Sequence, residues 1–214
     1  MAYTVFDTET NGLLDVLTKV HVLSYSHDGR EIKHTHDYDE MRLFFSEAKV
    51  LVGHNICRFD IPAVEKVLGI KVKARLVDTL ALSWYLNHER VKHGLEGYGE
   101  DYGVPKPVIK DWDSLTPEDY AHRCNEDVKI NSRLWRDIEL KLNKLYQDQG
   151  EKDRLIDYLT FKMECAREQE TLRWKLDVPR TQEAYDNILV LKEQKVEQLA
   201  EAMPKHILTR VATQ

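Results

Sequence analysis

Two acids spaced two residues apart on an apolar strand constrain this chain more than any other feature. Tyr3-Thr4-Val5-Phe6 has the β-branched and aromatic character of a strand and runs directly into Asp7-Thr8-Glu9. Side chains at i and i+2 of a strand share a face. Asp7 and Glu9 therefore project together from a segment apolar enough to be central in a sheet. Carboxylates held together beside a core repel one another and lose hydration unless positive charge sits between them. A divalent metal ion meets that need. Taken alone, such a pair is weak; it becomes informative only if other acids converge on it.

Two further segments supply them. His54-Asn55-Ile56-Cys57-Arg58-Phe59-Asp60 spans the polar end of a short buried strand, Val50 to Asn55, and the start of a helix from Ile61 to Leu68 with Pro62 in its first turn and Gly69 past its end. Ligand sites of open α/β sheets gather at such strand ends, although an acid there also caps helices. Tyr120-Ala121-His122-Arg123-Cys124-Asn125-Glu126-Asp127-Val128 falls in a helix opened by Thr116-Pro117-Glu118-Asp119. A lone Asp on such a helix is usually solvated.

In this order the three segments resemble the DEDD superfamily of 3′–5′ exonucleases, and among these the proofreading domain of bacteriophage-type family A DNA polymerases. Phe6-Asp7-Thr8-Glu9-Thr10-Asn11-Gly12-Leu13 matches the first motif, Gly53-His54-Asn55 with Phe59-Asp60 the second, and Cys124, Asp127 and Val128 the third. Val77 to Ser83 and His93-Gly94-Leu95-Glu96 resemble the connecting segments, so the likeness runs from residue 3 to about 140. The resemblance implies an α/β, ribonuclease-H-like fold with a mixed, about five-stranded sheet flanked by helices. It also implies two Mg²⁺ or Mn²⁺ ions, with Asp7, Glu9 and Asp127 holding one, and Asp7 with Asp60, through water, holding the other. An all-oxygen donor set suits those hard cations better than Zn²⁺. By the same resemblance Leu13 packs against the terminal base of a single-stranded DNA 3′ end, Thr10 also contacts the nucleotide, and Asn55 contacts it or orients the loop. Leu13 reads equally well as a core leucine, and Asp78 reads as structural.

The pattern departs from its relatives at the base. Family A polymerases carry tyrosine four residues before the last aspartate, where this chain has Arg123, which cannot accept a proton at physiological pH. His122 has the spacing of the histidine-type branch and the chemistry of a general base. On a regular helix, however, five residues leave two side chains about 140° apart. If His122 serves, the backbone must break between Arg123 and Asn125; otherwise Arg123 shares the Asp127 face and can steady the scissile phosphate. Arg58, Lys92 and Lys106 are further candidates for phosphate contact.

Beyond residue 150 the sequence changes character. Val20–Ser26 and Arg30–His36 flank the hairpin signal Asp28-Gly29, and Asp39–Lys49 has helical periodicity, whereas Leu155–Gln169 and Thr181–Ala202 are amphipathic helices with no strand between them. The expected domains are 1–150, an exonuclease domain, and 151–214, a helical extension resembling the start of a polymerase thumb. The 214 residues carry no palm or fingers motif. The expectation is the proofreading subunit of a split phage-type polymerase, docking on a polymerase subunit through 151–214; a truncated polymerase fits as well, and the tail also reads as a helical cap packing on its own domain. Two other functions compete: an RNA-trimming or repair exonuclease, and a catalytically silent scaffold.

Composition narrows the class further. With 42% hydrophobic residues, four Trp, ten Tyr and five Phe, the chain can bury a core, which excludes a disordered tail, a collagen-like fibre and a disulfide-stapled mini-protein. A net charge of −6 is wrong for a general DNA-coating protein. Three widely spaced cysteines suit a reducing compartment. No apolar run reaches the roughly 20 residues of a bilayer span, and no signal peptide is read at the N-terminus. A soluble, cytoplasmic protein is expected, in the host cytoplasm if phage-encoded.

Overall fold

The computed structural model describes residues 3–27, 29–104, 107 and 115–203. The loop expected at 105–112 falls almost wholly outside these residues. So do Asp28 of the hairpin signal, Lys106 and everything beyond Met203.

Five strands form one mixed sheet: β1 (Thr4–Thr10), β2 (Val20–Ser26), β3 (Lys33–Thr35), β4 (Val50–Gly53) and β5 (Arg75–Asp78). Their order is β3-β2-β1-β4-β5, so the acid-bearing strand is central. β1 pairs antiparallel with β2 and parallel with β4. The β1–β2 register runs along the whole strand and sets Asp7 opposite Ser24, whereas β4 pairs only with Thr4 and Val5. The distal half of β1 is thus left open on its β4 side, and the 54–60 segment turns into that opening. Gly53 makes the turn possible. A Cβ there would lie 3.2 Å from the Phe6 carbonyl and collide with Ile56.

Helices cover the sheet: α1 (Tyr38–Glu47), α2 (Asp60–Leu68), α3 (Thr79–Leu86), α4 (Leu95–Tyr102), α5 (Pro117–Leu145) and α6 (Gln149–Leu172). α2 stops at Gly69 in the left-handed conformation, and α5 starts from a full capping box between Thr116 and Asp119. The core joins Val5, Phe6, Leu51 and Val52 of the sheet to Phe45, Val64, Ile130, Leu134 and Ile138 of the helices, with Ile56 of the 54–60 segment between them.

One expectation fails: α5 runs unbroken from Pro117 to Leu145, with no break at Arg123–Asn125. The first compact unit extends to Thr171. Ile156, Leu159 and Met163, spaced three and four residues apart, bury one face of α6 in the main core. α6 also guards the exposed edge strand β5: Arg75 bonds Asp153 at 2.9 Å and Asp157 at 2.8 Å, and Thr160 donates to the Leu76 carbonyl at 3.1 Å. Much of 151–171 is thus packed on its own domain.

The second unit begins at Leu172. It contains α7 (Val178–Ala202), capped by Asp177 and with no buried residue among those described. Among the described residues, no helix is long and apolar enough to cross a membrane.

Candidate metal centre

β1 presents Asp7 and Glu9 on one face, and α5 crosses that face carrying Asp127, whose residue is 3% exposed. One carboxylate oxygen from each of Asp7, Glu9 and Asp127 lies within 4.8 Å of the others. Asp60, from the start of α2, lines the same cleft of about 220 Å³, together with Thr8, His54, Asn55, Phe59, Leu95 and Arg123. Three carboxylates so close, all oxygen donors and one of them buried, fit a hard divalent cation. Among the described residues no other cluster of this kind occurs.

Asp60 is the fourth acid and is held apart from the three. Its carboxylate accepts a 2.6 Å hydrogen bond from Thr8 Oγ1, the side chain on the opposite face of β1 from Asp7 and Glu9. Burial pushes the Asp60 pKa up to about 7; the Thr8 hydrogen bonds oppose that rise, and the negative charges of Glu9 and Asp78 add to it. An ordinary unfolded carboxyl titrates near ~3.9. Between those limits the folded chain holds a proton that the unfolded chain has lost, so stability falls as pH rises and is lowest above about 7. Asp60→Asn is therefore expected to raise the Tm of the metal-free protein at pH 8 and to flatten its decline between pH 4 and 8. Thermal melts in EDTA across that range check this, and parallel curves for variant and parent would contradict it.

The segment carrying Asp60 is fixed from a distance. Asp78, 2% exposed, accepts hydrogen bonds from Asn55 N at 3.0 Å, Cys57 N at 3.2 Å and Leu80 N at 3.0 Å. Burial raises its pKa, with those backbone N–H groups pulling the other way. Asn55 is held at φ +64°, a left-handed conformation uncommon for a residue with a Cβ, and its Oδ1 is buried without a hydrogen-bond partner. Strain and unsatisfied polarity of this sort gather at ligand sites. Thr79, next to Asp78, bonds His54 Nδ1 at 3.0 Å and Asn131 Oδ1 at 2.7 Å, linking the segment to α5 one turn beyond Asp127. Cys124 lies behind the acids, its thiol 3.2 Å from the Asp7 carbonyl and 3.5 Å from Asp7 Oδ2.

The unbroken α5 sends His122 and Arg123 in different directions. His122 is exposed and absent from the cleft lining, whereas Arg123 enters the cleft and its Nε donates to Glu9 Oε1 at 2.8 Å. The break that His122 needed to reach the acids as a base does not exist. His122→Ala should leave kcat within about threefold of the parent, as surface changes away from a site usually do. A hundredfold loss in a strand-shortening assay would restore the histidine.

A second, larger cleft of about 920 Å³ adjoins the first, sharing Thr8, Glu9 and Phe59 with it. Thr10 and Leu13 line it, and Leu13 is 75% exposed, so it is not a core leucine. Its far wall is His21 stacked on Tyr120, ring centroids 4.0 Å apart and 6° from parallel. Of the other cations considered, Arg58 is ion-paired with Glu170 and Lys92 lies 3.9 Å from Glu100. Sequence reasoning missed Thr8 and the His21–Tyr120 stack and left Asp78 only structural. Alternation along β1 was a signal for Thr8; the others depend on contacts between distant segments.

No protein-family model and no curated protein matches the chain. Solved structures do. Brucella melitensis NrnC with bound Mg²⁺ superposes with a TM-score of 0.59 at 16% identity, covering 77% of this chain and 85% of that one. The catalytic core of RRP6 from Trypanosoma brucei gives 0.54 at 14%, covering 77% and 45%. Escherichia coli RNase D, described as an exoribonuclease involved in structured RNA processing, gives 0.53 at 14%, also covering 77% and 45%. The chain thus has the ribonuclease-H-like exonuclease fold that the motif order implied.

Proposed function

We propose that this chain is a DEDD-type, metal-dependent 3′–5′ exonuclease that hydrolyses the terminal phosphodiester of a single-stranded nucleic acid. The observation that carries the reading is the meeting of Asp7, Glu9 and Asp127 within 4.8 Å, in a cleft also lined by Asp60. Asp7, Glu9 and Asp127 would hold one Mg²⁺ or Mn²⁺, and Asp7 with Asp60, through water, a second. When bound, ions of this kind acidify water and offset charge building on a phosphate. The chain's own groups do the rest. Thr8 holds the Asp60 carboxylate, and Asn55 meets the nucleotide from a backbone locked by Asp78. Leu13 and Thr10 receive the terminal nucleoside at the mouth of the larger cleft, where Phe59 and the His21–Tyr120 stack offer surfaces for bases. Arg123 supplies the cation that faces the phosphate.

The DNA reading, with its polymerase partner, is supported by the motif flanks. The part of the extension outside the compact unit, from Leu172 onward, would carry that contact through exposed apolar side chains such as Trp174, Tyr185 and Ile188. RNA trimming is the second reading, favoured by the fold shared with RNase D. Shortening of 5′-labelled single-stranded DNA and RNA, with Mg²⁺ or EDTA, separates them. Metal-dependent loss of DNA from its 3′ end is expected. Preference for RNA would promote the second reading, and no shortening of either would leave a scaffold.

A further inference from the structure

The ion pair between Arg123 and Glu9 sits inside the carboxylate cluster rather than beside it. Arg123 lies one helical turn before Asp127, on the same face of α5. Its Nε bonds Glu9 Oε1 at 2.8 Å, and its Nη1 bonds the Pro107 carbonyl at 3.1 Å. Both side chains are largely withdrawn from water, at 17% and 12% exposure. A charge-assisted bond in such surroundings is strong. A guanidinium stays charged at every pH the protein meets, so proton loss cannot release Glu9. A metal cation arriving at that carboxylate, or an anion drawn to the arginine, can do so. Glu9 is also one of the three residues whose oxygens come within 4.8 Å of one another.

We propose that Arg123 is an exchangeable counter-ion: it neutralises Glu9 before metal binds, competes with the metal for that carboxylate, and once displaced presents its guanidinium to the phosphate of the substrate. This rests on the proposed function, and it adds a regulation of the same site. The metal requirement is set by an internal cation that must first give way. A neighbouring fixed charge that repels a divalent ion lowers its affinity, so removing that charge strengthens metal binding even as it weakens the handling of phosphate.

The test is calorimetric titration of Mn²⁺ into the full chain, comparing the parent with Arg123→Gln, and with Asp127→Asn as the control that should lose uptake. Arg123→Gln is expected to bind Mn²⁺ about tenfold more tightly, to melt at lower temperature in EDTA, and to gain more than the parent in Tm when Mn²⁺ is added. At saturating metal it should shorten single strands at least about tenfold more slowly. Arg123→Lys keeps one positive charge without the planar fork and should fall between, which preserves the test if the glutamine variant folds poorly. A purely structural arginine would behave oppositely, because losing it would misplace Glu9 and weaken Mn²⁺ binding. Unchanged or weaker binding by a folded Arg123→Gln, in a parent that shortens strands, overturns the counter-ion and leaves the nuclease standing. Tighter binding in a chain that shortens nothing supports the counter-ion and overturns the nuclease.

Discussion

Asp7→Asn is expected to lose on the order of a thousandfold or more of metal-dependent strand shortening. Asp7 belongs to the three-carboxylate cluster and is the residue assigned to both ions, so neither would keep its full set of ligands. Stability should move the other way. Asp7 and Glu9 share one face of β1, with Asp127 crossing above them, and their mutual repulsion is relieved when one becomes an amide. The metal-free variant should therefore melt higher than the parent, and Mg²⁺ should stabilise it less. A gel assay on 5′-labelled oligonucleotides and paired melts with and without Mg²⁺ read both effects. A variant that lost activity together with stability would point to misfolding instead.

Asp78→Ala carries the second large effect, this time on the fold. Its carboxylate satisfies the Asn55, Cys57 and Leu80 N–H groups from a position 2% exposed. Each buried donor left unpaired costs about 1–3 kcal/mol, so a loss of about 3–5 kcal/mol is expected, near the upper end for a single substitution. Asp78→Asn keeps one oxygen acceptor and should lose less. Because the same bonds hold the segment leading to Asp60, metal uptake should weaken in whichever variant still folds. Urea unfolding of both variants measures the first effect and Mn²⁺ titration the second. A change below 1 kcal/mol for the alanine variant would show that the 54–60 segment needs no anchor.

Much of this architecture was legible because its signals are local. Alternation on β1, the Gly69 stop and the Thr116 capping box each rest on a few adjacent residues, and the strand and helices followed them. The acids were legible as a group because their order and flanks resemble a known family; nothing local shows that Asp60 and Asp7 line one cleft. Loss of strands after residue 150 marks a change of element type; a core ends only where apolar faces stop finding partners. Ile156, Leu159 and Met163 already carried the spacing of a buried face. The expected helix break came from asking His122 to act, although helix geometry favoured Arg123. Asp78 and Thr8 act through partners 23 and 52 residues away in sequence, a relation no local pattern encodes.

Anomalous scattering from crystals of the chain soaked in Mn²⁺ tests most directly whether Asp7, Glu9 and Asp127, with Asp60 beside them, form a seat for hard divalent cations. A manganese peak bonded to oxygens of Asp7, Glu9 and Asp127, and absent from Asp127→Asn crystals, is the expected result. A fully soaked crystal with no manganese between these carboxylates would contradict it.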